Sequence, residues 1–292
     1  MKHYLTWLNT KWNKEEMATW RSLIKAFYVL LPIVIYSLLQ DLIEILLWGL
    51  LNLGVSVAGD HVLAWLSGYS DTIEGVLYAL ATILALLPLK RMIQNEIVSI
   101  TNGEKIKDFT AIGKYLWIAA LGLGAAFFLN FGMGLFSAVS NSSDYQQVAD
   151  AQYGVSFAIG LFLYGVVSPI VEEIIYRGIT YQRLKPTFGM VPAILISALI
   201  FGGLHGNWVQ AVYGTLMGVL LAWIYEKNEG FLAPVVVHMV ANLGVYSLSY
   251  GNRLANLSRK TCILIMIACA IITGVCFWTV NKRLASDQKG DT

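Results

Sequence analysis

Charged side chains are scarce in this sequence. Asp, Glu, Lys and Arg make up 13% of the 292 residues, hydrophobic residues make up 57%, and the formal net charge is only +2. A balance this close to neutral gives no electrostatic reason to expect a nucleic-acid partner. The mean hydropathy of +0.62 reflects several apolar runs that are long enough to cross a bilayer as helices. The composition therefore predicts an integral, multi-pass membrane protein surrounded by lipid.

Cysteine is also rare, which excludes a disulfide scaffold. The three cysteines, Cys262, Cys269 and Cys276, recur every seven residues within one apolar run. This spacing places them along one face of one helix, where they cannot pair with each other. Since redox or metal chemistry would need partners that this run lacks, we predict that the cysteines serve as small apolar packing residues.

Eight apolar segments have the length expected of membrane helices, so the predicted fold is an all-α, polytopic helical bundle with about eight transmembrane helices. Gln40, Asp41 and Glu44 interrupt the first segment and could mark a break, which leaves seven or nine spans possible. The polar connection over 91–113 divides an N-terminal part (1–113) from a C-terminal core (114–292). The segments cover about 26–51, 73–89, 114–139, 153–176, 188–205, 208–225, 231–249 and 261–280.

The distribution of Lys and Arg predicts the orientation of the bundle. The first 22 residues, an interfacial segment, and the loops 90–114 and 177–187 are basic, whereas the loops 54–72 and 140–152 contain no Lys or Arg. Basic loops remain on the cytoplasmic side, so we expect a retained, cytoplasmic N-terminus. One loop disagrees, because Arg253, Arg259 and Lys260 would lie outside.

An acidic pair directly follows the uncharged apolar run at 153–171, in the sequence SPIVEEIIYRGI. Glu173 and Arg177 are four residues apart, so a helical salt bridge can neutralise both. Glu172 has no basic residue at the next turn and is the unexplained charge, unless it lies in the polar interface at the end of its span. Pro169, three residues before it, should free the carbonyl four residues back and bend the helix.

Two of the four histidines lie in apolar segments: His205, and His238 with Asn242 one turn after it. A lone buried histidine is usually a satisfied core residue. Polar groups on three apolar helices, however, can be satisfied in lipid mainly by facing one another. Together with Glu172, such a set suits a hydrolase, because a carboxylate can take a proton from water while imidazole and carboxamide groups stabilise an oxyanion.

Standard protease signatures are absent: there is no H-E-x-x-H helix, no G-x-S-x-G elbow, no cysteine near either core histidine, and no second intramembrane aspartate to accompany Asp60. The three motifs that are present occur in the order Glu172-Glu173-x-x-x-Arg177, Phe201-x-x-x-His205 and His238-x-x-x-Asn242.

This pattern resembles the CAAX protease and bacteriocin-processing family, the intramembrane glutamic endopeptidases that are also called the Abi family. The resemblance covers about 166–245 and implies that Glu172 activates water, that His205 assists it, and that His238 with Asn242 binds the oxyanion. Glu173 and Arg177 would hold the first glutamate in place, and Phe201 would pack. No cofactor or metal is implied.

The resemblance also implies a substrate delivered from the bilayer, either a prenylated protein or a small hydrophobic peptide of the bacteriocin or pheromone kind. We favour a bacterial cell membrane, because the chain is compact and lacks organelle-targeting signals. Three alternatives remain open: a zinc metallopeptidase with a carboxylate and two imidazoles as ligands, a non-catalytic immunity or scaffold protein, and a proton-coupled transporter.

Two further points stay open in the sequence. We expect Glu172, His205, His238 and Asn242 to converge on one polar cavity inside the bundle, but the side to which the cavity opens is undetermined. A break at Gly178 would end the motif-bearing span near Arg177 and bring the site closer to the cytosol. The oligomeric state is likewise undetermined.

Overall fold

The architecture is all-α in the computed structural model, which describes residues 14–58, 60–94, 109–136, 139, 141–228, 230–252 and 257–290. Within these ranges there is no strand, and the predicted fold class is confirmed. The helices are α1 (Lys14–Ala58), α2 (Asp60–Ser67), α3 (Ser70–Leu84), α4 (Phe109–Gly134), α5 (Ser143–Gly154), α6 (Phe157–Phe188), α7 (Met190–Gly203), α8 (Trp208–Asn228), α9 (Leu232–Ser249) and α10 (Arg259–Gly290).

Among the described residues, six helices are long and apolar enough to cross a membrane: α1, α4, α6, α8, α9 and α10. The expected count of eight is therefore not confirmed. The segments predicted at 73–89 and 188–205 form α3 and α7, which have 15 and 14 residues. At the helical rise of 1.5 Å per residue they extend roughly 21–23 Å, which is less than the ~30 Å of a bilayer's hydrocarbon core.

The first span continues through its polar residues without a break. Helix α1 runs from Lys14 to Ala58, and Gln40, Asp41 and Glu44 lie inside it. Residues 1–13 of the predicted interfacial segment, residues 95–108 of the polar connection and Arg253 lie outside the described residues, so the division at residue 113 stays a prediction.

Helix α6 carries the acidic motif and is not a regular α-helix. Two π-helical segments, Leu163–Val167 and Ile174–Tyr181, flank the short α-helical stretch Ser168–Glu173. The break considered at Gly178 does not occur, because the π segment passes through this residue and the helix continues to Phe188. The chain turns at Gly189, whose φ of 80° is a conformation that glycine adopts without steric cost.

Helices α4, α8, α9 and α10 share a core that includes Leu121, Leu221, Val237 and Cys276. Helix α4 approaches α9 closely at Gly122, where a β-carbon would lie 2.9 Å from the backbone oxygen of Val237. All three cysteines are free, and Cys269 and Cys276 are buried, as their expected packing role requires.

Helix α1 packs directly against the motif-bearing helix. Val29 lies in a buried cluster with Tyr181, and Ile33 lies in another with Ile175 and Ile179. In the most apolar windows of α1 and α10 only 17% of the residues are buried, which leaves broad hydrophobic faces exposed. Faces of this kind are stable against lipid chains, so the protein is an integral membrane protein.

Candidate active site

The centre of the bundle contains a buried chain of charged and polar side chains. Nη1 of Arg177 lies 2.9 Å from Oε1 of Glu173, and both side chains are completely buried. The same carboxylate oxygen lies 2.8 Å from Nδ1 of His238. An ionised carboxylate can only accept, so Nδ1 of His238 donates in this contact. Nη2 of Arg177 donates to the backbone oxygen of Gly218 at 3.1 Å, which connects the cluster to α8.

Glu172 is the exposed member of the acidic pair. A quarter of its side chain is accessible, whereas that of Glu173 is wholly buried. The hydroxyl of Ser168, one turn earlier on α6, donates to Oε1 of Glu172. The other oxygen, Oε2, faces Nε2 of His238 at 3.6 Å, which is longer than a direct hydrogen bond. One imidazole therefore lies between the two glutamates.

Phe201 is the shared neighbour of the motif residues. The guanidinium carbon of Arg177 lies 4.6 Å from the centroid of its ring, a cation–π geometry. The imidazole rings of His205 and His238 meet the ring of Phe201 at centroid distances of 5.0 and 5.7 Å, both nearly perpendicular. Phe201 thus packs as expected. It packs against motif side chains from α6, from α9 and from the turn that follows α7.

His205 follows the last turn of α7 and is half-buried. Its Nδ1 lies 2.8 Å from the backbone oxygen of Phe201. A carbonyl can only accept, so Nδ1 carries the proton and a neutral His205 keeps a lone pair on Nε2. Helix α7 ends at Gly203, and the chain turns at Gly206, which has a φ of 77°. The side chain of Asn207 then accepts from the backbone N–H of Gln210 at the start of α8.

Asn242 is directed toward the backbone of α6. Its Nδ2 donates to the carbonyl of Tyr164 at 2.9 Å. The side chain is half-buried and lies one turn after His238 on α9.

The structure brings Glu173, Arg177 and His238 into direct contact and places Glu172 3.6 Å from His238. Phe201 joins His205 to this group. Asn242 meets α6 at Tyr164, about two helical turns before Glu172. Convergence of all four proposed catalytic side chains on a single polar cavity stays a prediction.

Sequence reasoning missed several contacts of this site. The bond from Ser168 to Glu172 has the i, i+4 spacing of a helical pair and could have been anticipated. The bond from Arg177 to the backbone carbonyl of Gly218 could not be anticipated, because every residue has a backbone carbonyl and the sequence does not mark which one will accept. Three tyrosines, Tyr36, Tyr78 and Tyr176, also lie within electrostatic reach of Glu172, and two of them come from the N-terminal helices α1 and α3.

Within the described residues, no three His, Cys, Asp or Glu side chains are placed to hold one metal ion. At the motif, Glu172 and Glu173 approach opposite nitrogens of His238. A three-ligand zinc site would need its donors to converge on one point.

The fold and the site together define a polytopic membrane protein with a carboxylate–imidazole cluster between its helices. Residues 154–244 match the family model "Type II CAAX prenyl endopeptidase Rce1-like". The resemblance to the CAAX protease and bacteriocin-processing family is therefore confirmed in the region that contains all three motifs.

Two curated proteins are similar to the chain. "Putative membrane peptidase YdiL" of Bacillus subtilis is 27% identical over 180 residues, which are 60% of this chain and 70% of that protein. "UPF0177 protein YxdF" of Lactococcus lactis subsp. lactis is 25% identical over 84 residues, which are 28% of this chain and 45% of that protein. No solved structure matches the chain significantly. These similarities support a membrane protease activity.

Proposed function

We propose that this protein is an intramembrane endopeptidase that hydrolyses a peptide bond with water activated by Glu172. The observation that carries the proposal is the different environment of two adjacent glutamates. Glu173 is fully buried between Arg177 and His238, whereas Glu172 is partly accessible and faces the free edge of the same imidazole. A general base must reach a water molecule, and only Glu172 has the exposure to do so.

In the proposed reaction, Glu172 takes a proton from water as the water oxygen bonds to the scissile carbonyl carbon. The carbonyl oxygen becomes an oxyanion, which Nε2 of a protonated His238 and the amide of Asn242 stabilise. Glu172 then gives its proton to the departing nitrogen as the C–N bond breaks, which leaves a carboxylic acid and an amine. No covalent enzyme intermediate is formed.

His205 assists as an acceptor in this mechanism. Its Nδ1 proton is held by the carbonyl of Phe201, so the lone pair on Nε2 can accept a hydrogen bond from the attacking water. Glu173 and Arg177 support the other imidazole, because the carboxylate of Glu173 accepts from Nδ1 of His238 and so fixes the orientation of the ring.

The proposed substrate is a hydrophobic peptide or a lipidated protein that enters from the bilayer. A groove between α3 and α6 supports this proposal, since every side chain that lines it is apolar: Val76, Ala79, Leu80, Ile83, Ala158, Ile159, Phe162 and Leu163. Phe162 lies ten residues before Glu172, roughly 15 Å along the helix axis. An apolar chain in this groove would thus extend toward the acidic motif. We place the protein in a bacterial cell membrane with its N-terminus in the cytoplasm.

Glu172→Gln tests the proposal because it preserves shape and removes the base. We expect cleavage to fall about 10²–10⁴-fold while the variant still inserts and folds. Purified protein in lipid nanodiscs would be assayed with a farnesylated peptide and with the same peptide without its lipid. Peptides that accumulate in a Glu172→Ala strain, identified by mass spectrometry, would supply the natural substrate.

The matched control is Glu74→Gln, which makes the same chemical change at an exposed position on α3 and should leave turnover near normal. Near-normal turnover by Glu172→Gln would remove Glu172 as the base. Stoichiometric zinc in pure protein, together with activity lost to chelators, would favour the metallopeptidase alternative instead.

A further inference from the structure

Pro169 leaves one backbone carbonyl of α6 without its helical donor. In the π segment Leu163–Val167 the hydrogen bonds run five residues back, and the N–H of Ser168 donates to the carbonyl of Leu163. The next donor in this register would be residue 169, and its acceptor would be the carbonyl of Tyr164. Proline has no N–H to give. The freed carbonyl is therefore five residues before the proline, not four as the sequence suggested for a regular α-helix.

Asn242 supplies the missing donor from another helix, since its Nδ2 donates to the carbonyl of Tyr164 at 2.9 Å. We infer that Pro169 and Asn242 act as one positioning device: the proline frees the carbonyl within the π segment, and the asparagine binds it. Asn242 thereby fixes the axial position of α9 against α6. This role is distinct from donation to an oxyanion, and the proline is a functional part of it.

The surroundings of this bond show why it can fix the two helices relative to each other. A β-carbon on Gly165, next to Tyr164, would lie 2.9 Å from Cγ of Leu243, the residue after Asn242. A β-carbon on Gly160 would lie 2.5 Å from the ring of Tyr246. The ring of Tyr164 also stacks on Tyr246, with 5.9 Å between centroids. Small residues on α6 thus admit α9 at close range on both sides of the asparagine bond.

The catalytic consequence follows from the helical repeat and rests on the function proposed above. His238 precedes Asn242 by four residues, so both lie on the same face of α9. An axial shift of α9 would alter the distance from His238 to Glu172 and to Glu173, now 3.6 and 2.8 Å. A carboxamide nitrogen carries two hydrogens, so Asn242 can bind Tyr164 with one and present the other to the substrate.

A double-mutant cycle in thermal stability tests the device without any activity assay. Asn242→Ala should lower the Tm by about 2–10 °C, because it leaves the carbonyl of Tyr164 unpaired between helices. Pro169→Ala restores an N–H at residue 169, which can donate to this carbonyl. In the Pro169→Ala background we therefore expect Asn242→Ala to cost less than half of its original Tm shift.

The matched control is Pro186→Ala, which changes a proline of the same helix far from Asn242. In that background the Tm shift of Asn242→Ala should be unchanged. If Asn242→Ala alone does not accumulate as a folded protein, recovery of monodisperse protein in detergent by the added Pro169→Ala change is the supporting result. The inference would be overturned if Asn242→Ala lowered the Tm equally in all three backgrounds. It would also be overturned if Pro169→Ala restored neither the Tm nor the yield of monodisperse protein.

Peptidase activity of the same variants separates this inference from the proposed mechanism. If Asn242 also donates to the oxyanion, Pro169→Ala should restore the stability of Asn242→Ala but not its turnover, which stays about 10²–10³-fold low. Restored stability with restored turnover would keep the device and remove the oxyanion role. Activity absent from every variant and from the wild type would count against the proposed function alone.

Discussion

Glu173→Gln should be among the most damaging single substitutions in the core. The wild-type carboxylate neutralises Arg177 at 2.9 Å and binds His238 at 2.8 Å, and the pair with Arg177 is completely buried. Glutamine keeps the size of the side chain but removes its charge, so the guanidinium is left buried without a counterion. Breaking a buried pair from one side typically costs about 3–5 kcal/mol. At roughly 2–4 °C of Tm per kcal/mol, the Tm should fall by about 6–20 °C.

The assay is thermal unfolding of purified protein in one detergent, monitored by intrinsic tryptophan fluorescence. Lys185→Gln is the control, because it breaks an ion pair that is exposed to solvent. Lys185 is 43% exposed and lies 2.7 Å from Glu226. Exposed pairs contribute about 0–1 kcal/mol, so its Tm should change by a few degrees at most.

Combining Glu173→Gln with Arg177→Met tests the coupling between the two residues. The second change removes the orphaned charge, so the double variant should lose less stability than the two single losses together. Additive losses, or a Glu173→Gln variant as stable as Lys185→Gln, would refute the view that Glu173 holds the cluster together.

Three further substitutions test the packing around the site. Gly202→Ala should destabilise strongly, because its β-carbon would lie 2.6 Å from the backbone nitrogen of Thr215, whereas Gly203→Ala has open space and should be nearly neutral in the same melting assay. Equal melting temperatures would contradict the close packing of α7 on α8. Phe201→Ala should cost about 3–5 kcal/mol and also reduce turnover, since its ring contacts both histidines and Arg177. Normal turnover in a folded Phe201→Ala variant would show that these ring contacts do not position the histidines.

Hydropathy predicted where the apolar helices lie, but not how long each one is. The segment expected to continue to residue 89 ends as α3 at Leu84, and residues 85–89 form turns around Pro88. A proline restricts the residue before it to extended conformations, which opposes continuation of the helix. Helix α7 is shortened at both ends, by the positive φ of Gly189 and by the turn at Gly206. These helix lengths depend on local backbone geometry, which a hydropathy pattern does not contain.

Spacing along one helix predicted the Arg177–Glu173 contact, because an i, i+4 pair depends on local geometry alone. The pairing of Glu173 with His238 could not be predicted in the same way. These residues are 65 positions apart, and their contact depends on how α9 packs against α6. The π segments were also missed, since a π segment has no distinct hydrophobic period by which a sequence pattern could reveal it.

The two adjacent glutamates have different parts in the electrostatics of the proposed reaction. His238 can donate to both Glu173 and an oxyanion only if both ring nitrogens carry protons, so the mechanism requires an imidazolium. With both glutamates ionised, the cluster of Arg177, Glu173, His238 and Glu172 is then neutral. When Glu172 accepts the proton of water, its negative charge disappears as the oxyanion forms beside the same imidazolium. The net charge of the cluster and the reacting groups together stays at zero throughout the step, which matters in an apolar bundle, where an added net charge is costly. Glu173→Gln would remove this balance, so in any fraction that still folds we expect turnover to fall even where Glu172 is intact.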